Sequence, residues 1–264
     1  MARLRCRSIV SVLRPAALPA IVAVCALSGV VHSQAPGKAP RAPGDWTGFY
    51  RLATSARDLA GLQPLNPNLP EVILAHLQPW ARAKMEATDG IAEDTGQLCQ
   101  PTGIFRNPPF AGSFLWLPGA DKIVMIFGAT NTAGIQRVYL NRAHPRNLLP
   151  TWNGDSIGHW EAGTLVVDTI GFNDKSWLQP TMEPHTEEAH LIQRITSVRN
   201  GEFLEIHYTV EDRKALTSAY AYSRYYRKVG MVMAETVCNE DPEIWRAFKN
   251  QRLGPILERA RRVQ

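Results

Sequence analysis

The sequence predicts an all-β domain with minor helices, closed as an antiparallel up-and-down barrel or rolled into a strongly curved sheet. Three observations carry that expectation. From residue 114 onward the chain is a succession of short apolar-rich runs separated by tight turns. Two of those turns, Ala162-Gly163 and Asn200-Gly201, are two-residue hairpin loops between alternating segments. Glycine and proline each occur 19 times. That is enough punctuation for about eight or nine strands in meander order, which favours a barrel over a sandwich.

At the N-terminus, Arg3, Arg5, Arg7 and Arg14 form a positive region ahead of an apolar stretch, residues 16–31. Val31-His32-Ser33 then supplies small-residue cleavage chemistry before Gln34, so residues 1–33 read as a secretory signal peptide. An uncleaved anchor is the weaker reading, because the apolar run is short for a bilayer and holds Pro19. Cys25 suggests a lipoprotein, but Val24 before it is too large for that site. The expected product is an exported soluble protein, periplasmic or secreted, with no stable membrane span after cleavage.

Cleavage after Ser33 removes four of the 29 basic residues and none of the 24 acids, leaving 25 against 24 and a net charge of +1. The apparent basicity of +5 is thus mostly targeting signal, and no nucleic-acid partner is expected. Hydrophobic residues at 45% and charged residues at 20% exclude a disordered chain.

Residues 34–44 form a flexible lead-in rich in Ala, Pro and Gly, and residues 45–264 a single barrel domain. A first strand is expected over 45–52. Helical periodicity over 69–88, broken by Pro79, predicts two short helices. Strands follow at 114–117, 122–127, 135–140, 156–161, 164–172, 188–198, 202–212 and 219–229, and a terminal helix over 241–262 presents a solvated basic face.

Maturation leaves Cys99 and Cys238. In an oxidising compartment they most simply pair, closing a loop of roughly 140 residues and contributing on the order of 4 kcal/mol at most. The other reading is two buried free thiols. Their spacing makes neither a zinc nor a redox motif.

The hairpin loops fix a register. Around Asn200-Gly201, Ile195 faces Ile206, Leu191 faces Val210 and Gln193 faces Tyr208, giving one mostly apolar face. On the other face Arg194 meets His207, Thr196 meets Glu205 and His190 meets Glu211. Around Ala162-Gly163, Trp160 meets Leu165 on the apolar side, while His159, Glu161 and Asp168 share the polar side. Two readings stay open. Either the apolar face is core and the polar face wet, or the polar set lines a small lumen as a site. A His190–Glu211 pair would raise the imidazole pKa.

Four histidines gather in two regions: His144 and His159, then His185 and His190 bracketing Glu187 and Glu188. An imidazole near neutral pKa with a carboxylate to orient it is the equipment of general acid–base catalysis. His185 and His190 are the expected proton-transfer groups, with Asp168 or Glu188 as orienting carboxylate. His144, His159, Asn173, Trp177, Tyr220 and Tyr222 are expected to contact the substrate. His144, His185 and His190 would be the ligands of a metal ion, if one is bound. Ser156 lies in a Gly-x-Ser-x-Gly-like frame but opens a strand, so it is discounted as a nucleophile. No dinucleotide or phosphate-loop fingerprint occurs, and no cofactor is expected.

Residues 152–173, with Gly158-His159-Trp160-Glu161-Ala162-Gly163-Thr164-Leu165-Val166-Val167-Asp168-Thr169 at their centre, resemble a widespread family of exported bacterial proteins. Its pattern is roughly G-H-S-I-G-x-W-E-G-D-T-L-V-V-D-T. Pro184-His185-Thr186-Glu187 with His190 is similar to that family's P-H-S/T-x-x-x-H block, and Val210-Glu211-Asp212 to its T-V-E-D-P block. Cys99-Gln100-Pro101-Thr102-Gly103 and Val237-Cys238-Asn239-Glu240 resemble its two cysteine blocks. The likeness covers residues 99–240. It implies a lipocalin-like antiparallel barrel and supports the cysteine pairing, and it carries no activity with it. Asp155 stands where His is usual, Ala162 where Gly is, Gly163 where Asp is, and Arg213 where Pro is. The first departure removes any role that family histidine has.

Three functions compete. The first is an exported enzyme doing acid–base chemistry, of lyase, isomerase or cyclase type, on a small apolar or aromatic molecule in a barrel pocket. The second is a non-catalytic carrier of a small hydrophobic ligand. The third is a periplasmic metal-binding protein. The concentration of imidazoles and carboxylates favours the first.

Overall fold

In the computed structural model, residues 44–106, 112–128, 134–231, 233 and 238 are described. The expected signal peptide (1–33), nearly all of the lead-in and the terminal helix at 241–262 lie outside them. Nine strands close into a barrel in sequence order. They are β1 (Gly48–Leu52), β2 (Ser113–Pro118), β3 (Lys122–Gly128), β4 (Gly134–Leu140), β5 (Asp155–Glu161), β6 (Thr164–Ile170), β7 (His190–Val198), β8 (Phe203–Glu211) and β9 (Tyr220–Val229). β1 closes the ring by pairing with both β2 and β9.

One pairing departs from the expected meander. β4 and β5 run parallel, Val138 opposite Ser156 and Leu140 opposite Gly158. The cause is the connection at 141–154, long enough to carry the chain back to the end where β4 began. Val138 packs so closely there that a Cβ at Gly158 would come within 2.7 Å of its Cγ1.

Both hairpin registers are as the turns dictate. His190 is opposite Glu211, Gln193 opposite Tyr208, Ile195 opposite Ile206, and Trp160 opposite Leu165. The Asn200-Gly201 turn is a short 3-10 segment, Arg199–Gly201. Leu165, Val167, Leu191, Ile195, Ile206, Tyr208 and Val210 all point inward and are buried. The polar set therefore lies on the outer wall, and the lumen reading of that face is excluded. The interior is filled instead by Tyr50, Phe114, Trp116, Phe127, Tyr208, Tyr222 and Tyr226.

Three α-helices accompany the barrel among the described residues. α1 (Ala56–Leu59) is a single turn capped by Ser55, whose Oγ accepts from the Asp58 amide at 3.0 Å. α2 (Leu69–His76) and α3 (Pro79–Ala87) are the expected pair. Pro79 cannot continue α2, and its fixed φ suits the first turn of α3. Their apolar faces, Ile73, Leu74, Ala81 and Met85, join the barrel core. Truncating the fully buried Ile73 to Ala would cost about 2–5 kcal/mol. The junction between the helices is stitched to the chain before β9: the Gln78 amide donates to Ala215 O at 2.9 Å, and the Thr217 amide to His76 O at 2.7 Å.

Cys99 and Cys238 are disulfide-bonded, with Cα atoms 5.8 Å apart across a sequence separation of 139.

Candidate functional site: a histidine and carboxylate relay on the outer wall

Side-chain alternation places Asp155 on β5, Asp168 on β6, His190 on β7 and Glu211 on β8 on one outer face. The crossover between β4 and β5 folds back over that face and adds Arg142 and His144. The Asp168 carboxylate is shared by two imidazoles. Its Oδ1 lies 2.9 Å from His144 Nε2, and its Oδ2 lies 2.9 Å from His190 Nε2. The remaining ring nitrogens also face carboxylates. His144 Nδ1 is 2.7 Å from Asp155 Oδ1, and His190 Nδ1 is 3.4 Å from Glu211 Oε2. Arg142 donates to the other oxygen of Asp155 at 2.5 Å. The result is an unbroken row: Arg142, Asp155, His144, Asp168, His190, Glu211.

The electrostatics of the middle follow from that geometry. The hydrogen bond to Asp168 raises the pKa of His190, with partial burial opposing and Glu211 adding to the rise. The His190 bond chiefly, and His144 after it, hold the Asp168 carboxyl below its ordinary value despite partial burial. Near neutral pH this arrangement favours an imidazolium on His190 against a carboxylate on Asp168. The Nε2 side of His190 is held tightly and the Nδ1 side loosely, so Nδ1 is the end able to give up a proton.

Two members of the row, Glu211 at one end and Asp155 next to the other, each line a surface groove of about 310 Å³. Glu211 lines one, together with Gln78, Asp212, Arg213, Thr217 and Ser218. Asp155 lines the other, together with Arg137, Tyr139, Trp152 and Ser156. A third groove, of about 350 Å³ between Leu52, Pro67 and Tyr225, includes none of the row.

Of the residues expected from sequence, His144, Asp168 and His190 are brought together. His185 is not with them. It is buried, its Nε2 2.9 Å from Ser176 Oγ and its Nδ1 3.2 Å from Thr186 O. That environment suits a neutral ring with Nδ1–H donating to the carbonyl and Nε2 accepting from the serine. Burial, the largest influence, lowers its pKa accordingly, and the rings of Phe105 and Phe172 cover it. Glu188 is exposed and paired with Lys214 at 2.8 Å. His159 is exposed and bonded to Glu161 at 2.8 Å. Asn173 accepts from the Lys175 amide at 3.2 Å, closing a turn. Trp177 is buried with the Arg106 guanidinium 5.3 Å from its ring centre. Tyr220 and Tyr222 are buried and stacked in the core rather than lining a groove.

Arg142 and Asp155 were not legible as site residues. The register around Ala162-Gly163 does put Asp155 on the same face as Asp168, which is the signal that could have found it. Asp212 was missed as well. Buried at the end of β8, it accepts from the Thr186 amide and hydroxyl and from the Lys214 and Ala215 amides, so it holds the loop that carries His185.

Among the described residues, no group of three or more His, Cys, Asp or Glu is arranged to hold a metal ion. His144 and His190 approach one another only through Asp168, and a cation there would have to displace both hydrogen bonds. Compared with known proteins, the chain matches no family model and no curated protein.

Proposed function

We propose that this is an exported barrel enzyme, of the family its central motif resembles, that performs acid–base chemistry on a small molecule at its outer wall. The observation that carries the reading is the single carboxylate of Asp168 shared by two imidazoles, with one further carboxylate of the row on each side, Asp155 and Glu211, lining a groove. His190 acts as general acid. Anchored on Asp168 through Nε2, it passes the Nδ1 proton to a substrate atom in the groove beside Glu211 and is left as a neutral ring with Nε2–H still donated to Asp168. Glu211, half-exposed, returns a proton from solvent to Nδ1. The absence of any motif for a nucleophile or a nucleotide cofactor favours lyase or isomerase chemistry. A filled interior argues against a ligand carried in the lumen.

Export is supported by the N-terminal pattern of positive region, apolar stretch and cleavage site, and by the Cys99–Cys238 disulfide. No helix among the described residues is long and apolar enough to cross a membrane.

Lyases and isomerases of this kind exchange substrate protons with solvent. Purified mature protein, incubated in D₂O with small-molecule extract of its host, is therefore expected to put deuterium into one compound or a few related ones. The His190→Gln variant, folded by circular dichroism, is expected to put in none. Identical labelling by both proteins, or a compound that only co-purifies unchanged, overturns the reading.

A further inference from the structure

We propose that the cleft between β4 and β5 is a binding site for a small aromatic carboxylate. The inference does not rest on the acid–base reading.

The cleft exists because two parallel strands part. β4 and β5 pair only from Val138 to Leu140, and before that point the chains separate, braced by the Asn153 side-chain amide donating to Ile135 O at 3.3 Å. The opening of about 310 Å³ stands at the lower end of the range for small-molecule sites, a size that suits a single ring with one or two substituents. Its walls supply the chemistry of such a ligand. Trp152 and Tyr139 present aromatic surface, and Arg137 lines the same opening.

Arg137 is exposed and has no ion pair or hydrogen bond from its side chain among the described residues. The one carboxylate in the lining, Asp155, is already engaged on both oxygens, by Arg142 and by His144. Arg142 itself lies 3.7 Å from the Tyr139 ring centre, adding a second cation to that wall. The balance of fixed charge in the cleft is positive, and a planar guanidinium with free donors is the group best matched to a carboxylate.

From the lining, the Ser156 side chain reaches into the core, where it is bonded to the Gln136 amide at 3.1 Å and to Thr169 Oγ1 at 2.8 Å. Gln136 also donates to Gln193 Oε1 at 2.7 Å, which leaves Gln136 Oε1 and Gln193 Nε2 buried without partners. Gln136 and Gln193 are buried in the barrel interior, so this polar cluster backs the cleft from the core side and the ligand is recognised by the outward-facing Arg137, Tyr139 and Trp152.

Isothermal titration calorimetry on the mature, disulfide-bonded protein tests the assignment with 4-hydroxybenzoate, benzoate and 4-hydroxybenzyl alcohol. One saturable site is expected for the two acids, with the neutral alcohol weaker by about tenfold or more. Arg137→Gln, a change at an exposed side chain, is expected to weaken acid binding by about tenfold, and Arg57→Gln, a cation on α1 outside the cleft, to leave it unchanged. The proposal is overturned if no acid saturates, if the alcohol binds as well as the acids, or if Arg137→Gln has no more effect than Arg57→Gln.

Discussion

Replacing Asp168 by Asn tests the relay with almost no change of shape. The amide keeps one acceptor, enough for one imidazole N–H, but turns an NH₂ toward the other ring where a carboxylate oxygen stood. Two contacts of 2.9 Å are at stake. Hydrogen bonds to charged groups contribute about 1.5–3 kcal/mol each when buried. The Asp168 side chain is 38% exposed, and screening brings the expected loss down to about 1–2 kcal/mol in all. The pH dependence is the sharper signature. The pKa of His190 is raised, so its share is complete below the ordinary value of 6.5 and is lost as pH rises through the folded-state value. The pKa of Asp168 is lowered, so its share is present above the ordinary 3.8 and is lost as pH falls through the folded-state value. The penalty of Asp168→Asn should be largest between those two ordinary values and shrink on both sides. Urea unfolding of the oxidised mature protein and its variant, at steps from roughly pH 3 to pH 9, reads it directly. Proton NMR of the His190 ring should show its titration midpoint moving down in the variant. A penalty that is flat across pH, or a midpoint that does not move, would refute the shared-carboxylate account.

The other predictions concern the scaffold. Glu183 is fully buried, with Thr181 donating to one oxygen and the other unpartnered, and burial pushes its pKa up to about 7. A carboxyl whose folded-state pKa exceeds its unfolded value drains stability as pH rises between the two. Glu183→Gln should thus be near neutral at pH 5 and stabilising by on the order of 2 kcal/mol at pH 8, in the same urea series. Cys238→Ser should lower stability by about 2–4 kcal/mol, and reductant should shift the melting temperature of the parent but not of the variant. Ala162 takes a positive φ of 43° in the first hairpin turn, a conformation Asn accepts at lower cost. Ala162→Asn should raise the melting temperature, a gain of about 0.5–1 kcal/mol, and no gain would mean the turn is not limiting.

Which parts of this fold could be read in advance depends on how far apart the determining residues lie. A two-residue turn makes strand register a matter of counting, so the pairing of His190 with Glu211 and the inward set Leu191, Gln193 and Ile195 follow from Asn200-Gly201 alone. Pro79 likewise divides α2 from α3 by local sterics. The parallel pairing of β4 with β5 has no local signature. It depends on the path of residues 141–154, a connection without regular structure of its own, and the sequence pattern of β4 is the same whichever neighbour it takes. α1, a single capped turn, is too short to register as periodicity.

The site divides along the same line. His185 and His190 are five positions apart and look like partners, yet β7 begins at His190 and turns it outward, while Asp212 gathers the preceding loop and buries His185 beneath Phe105 and Phe172. His144 and Asp155, distant in pattern from both, arrive beside Asp168 only because the crossover folds back on the outer wall. The placement of the whole group has one physical cause. The inward positions of β1, β2, β8 and β9 carry Tyr50, Phe114, Trp116, Tyr208, Tyr222 and Tyr226, and rings of that size fill the interior. Such a barrel gains its stability from the lumen and has no room there for a charged row, which would lose hydration without finding enough partners. Only the outer wall lets Asp155, His144, Asp168, His190 and Glu211 keep water on one side and one another on the other. That balance raises the pKa of His190 on Asp168 and sets its Nδ1 against Glu211, the carboxylate that lines the neighbouring groove.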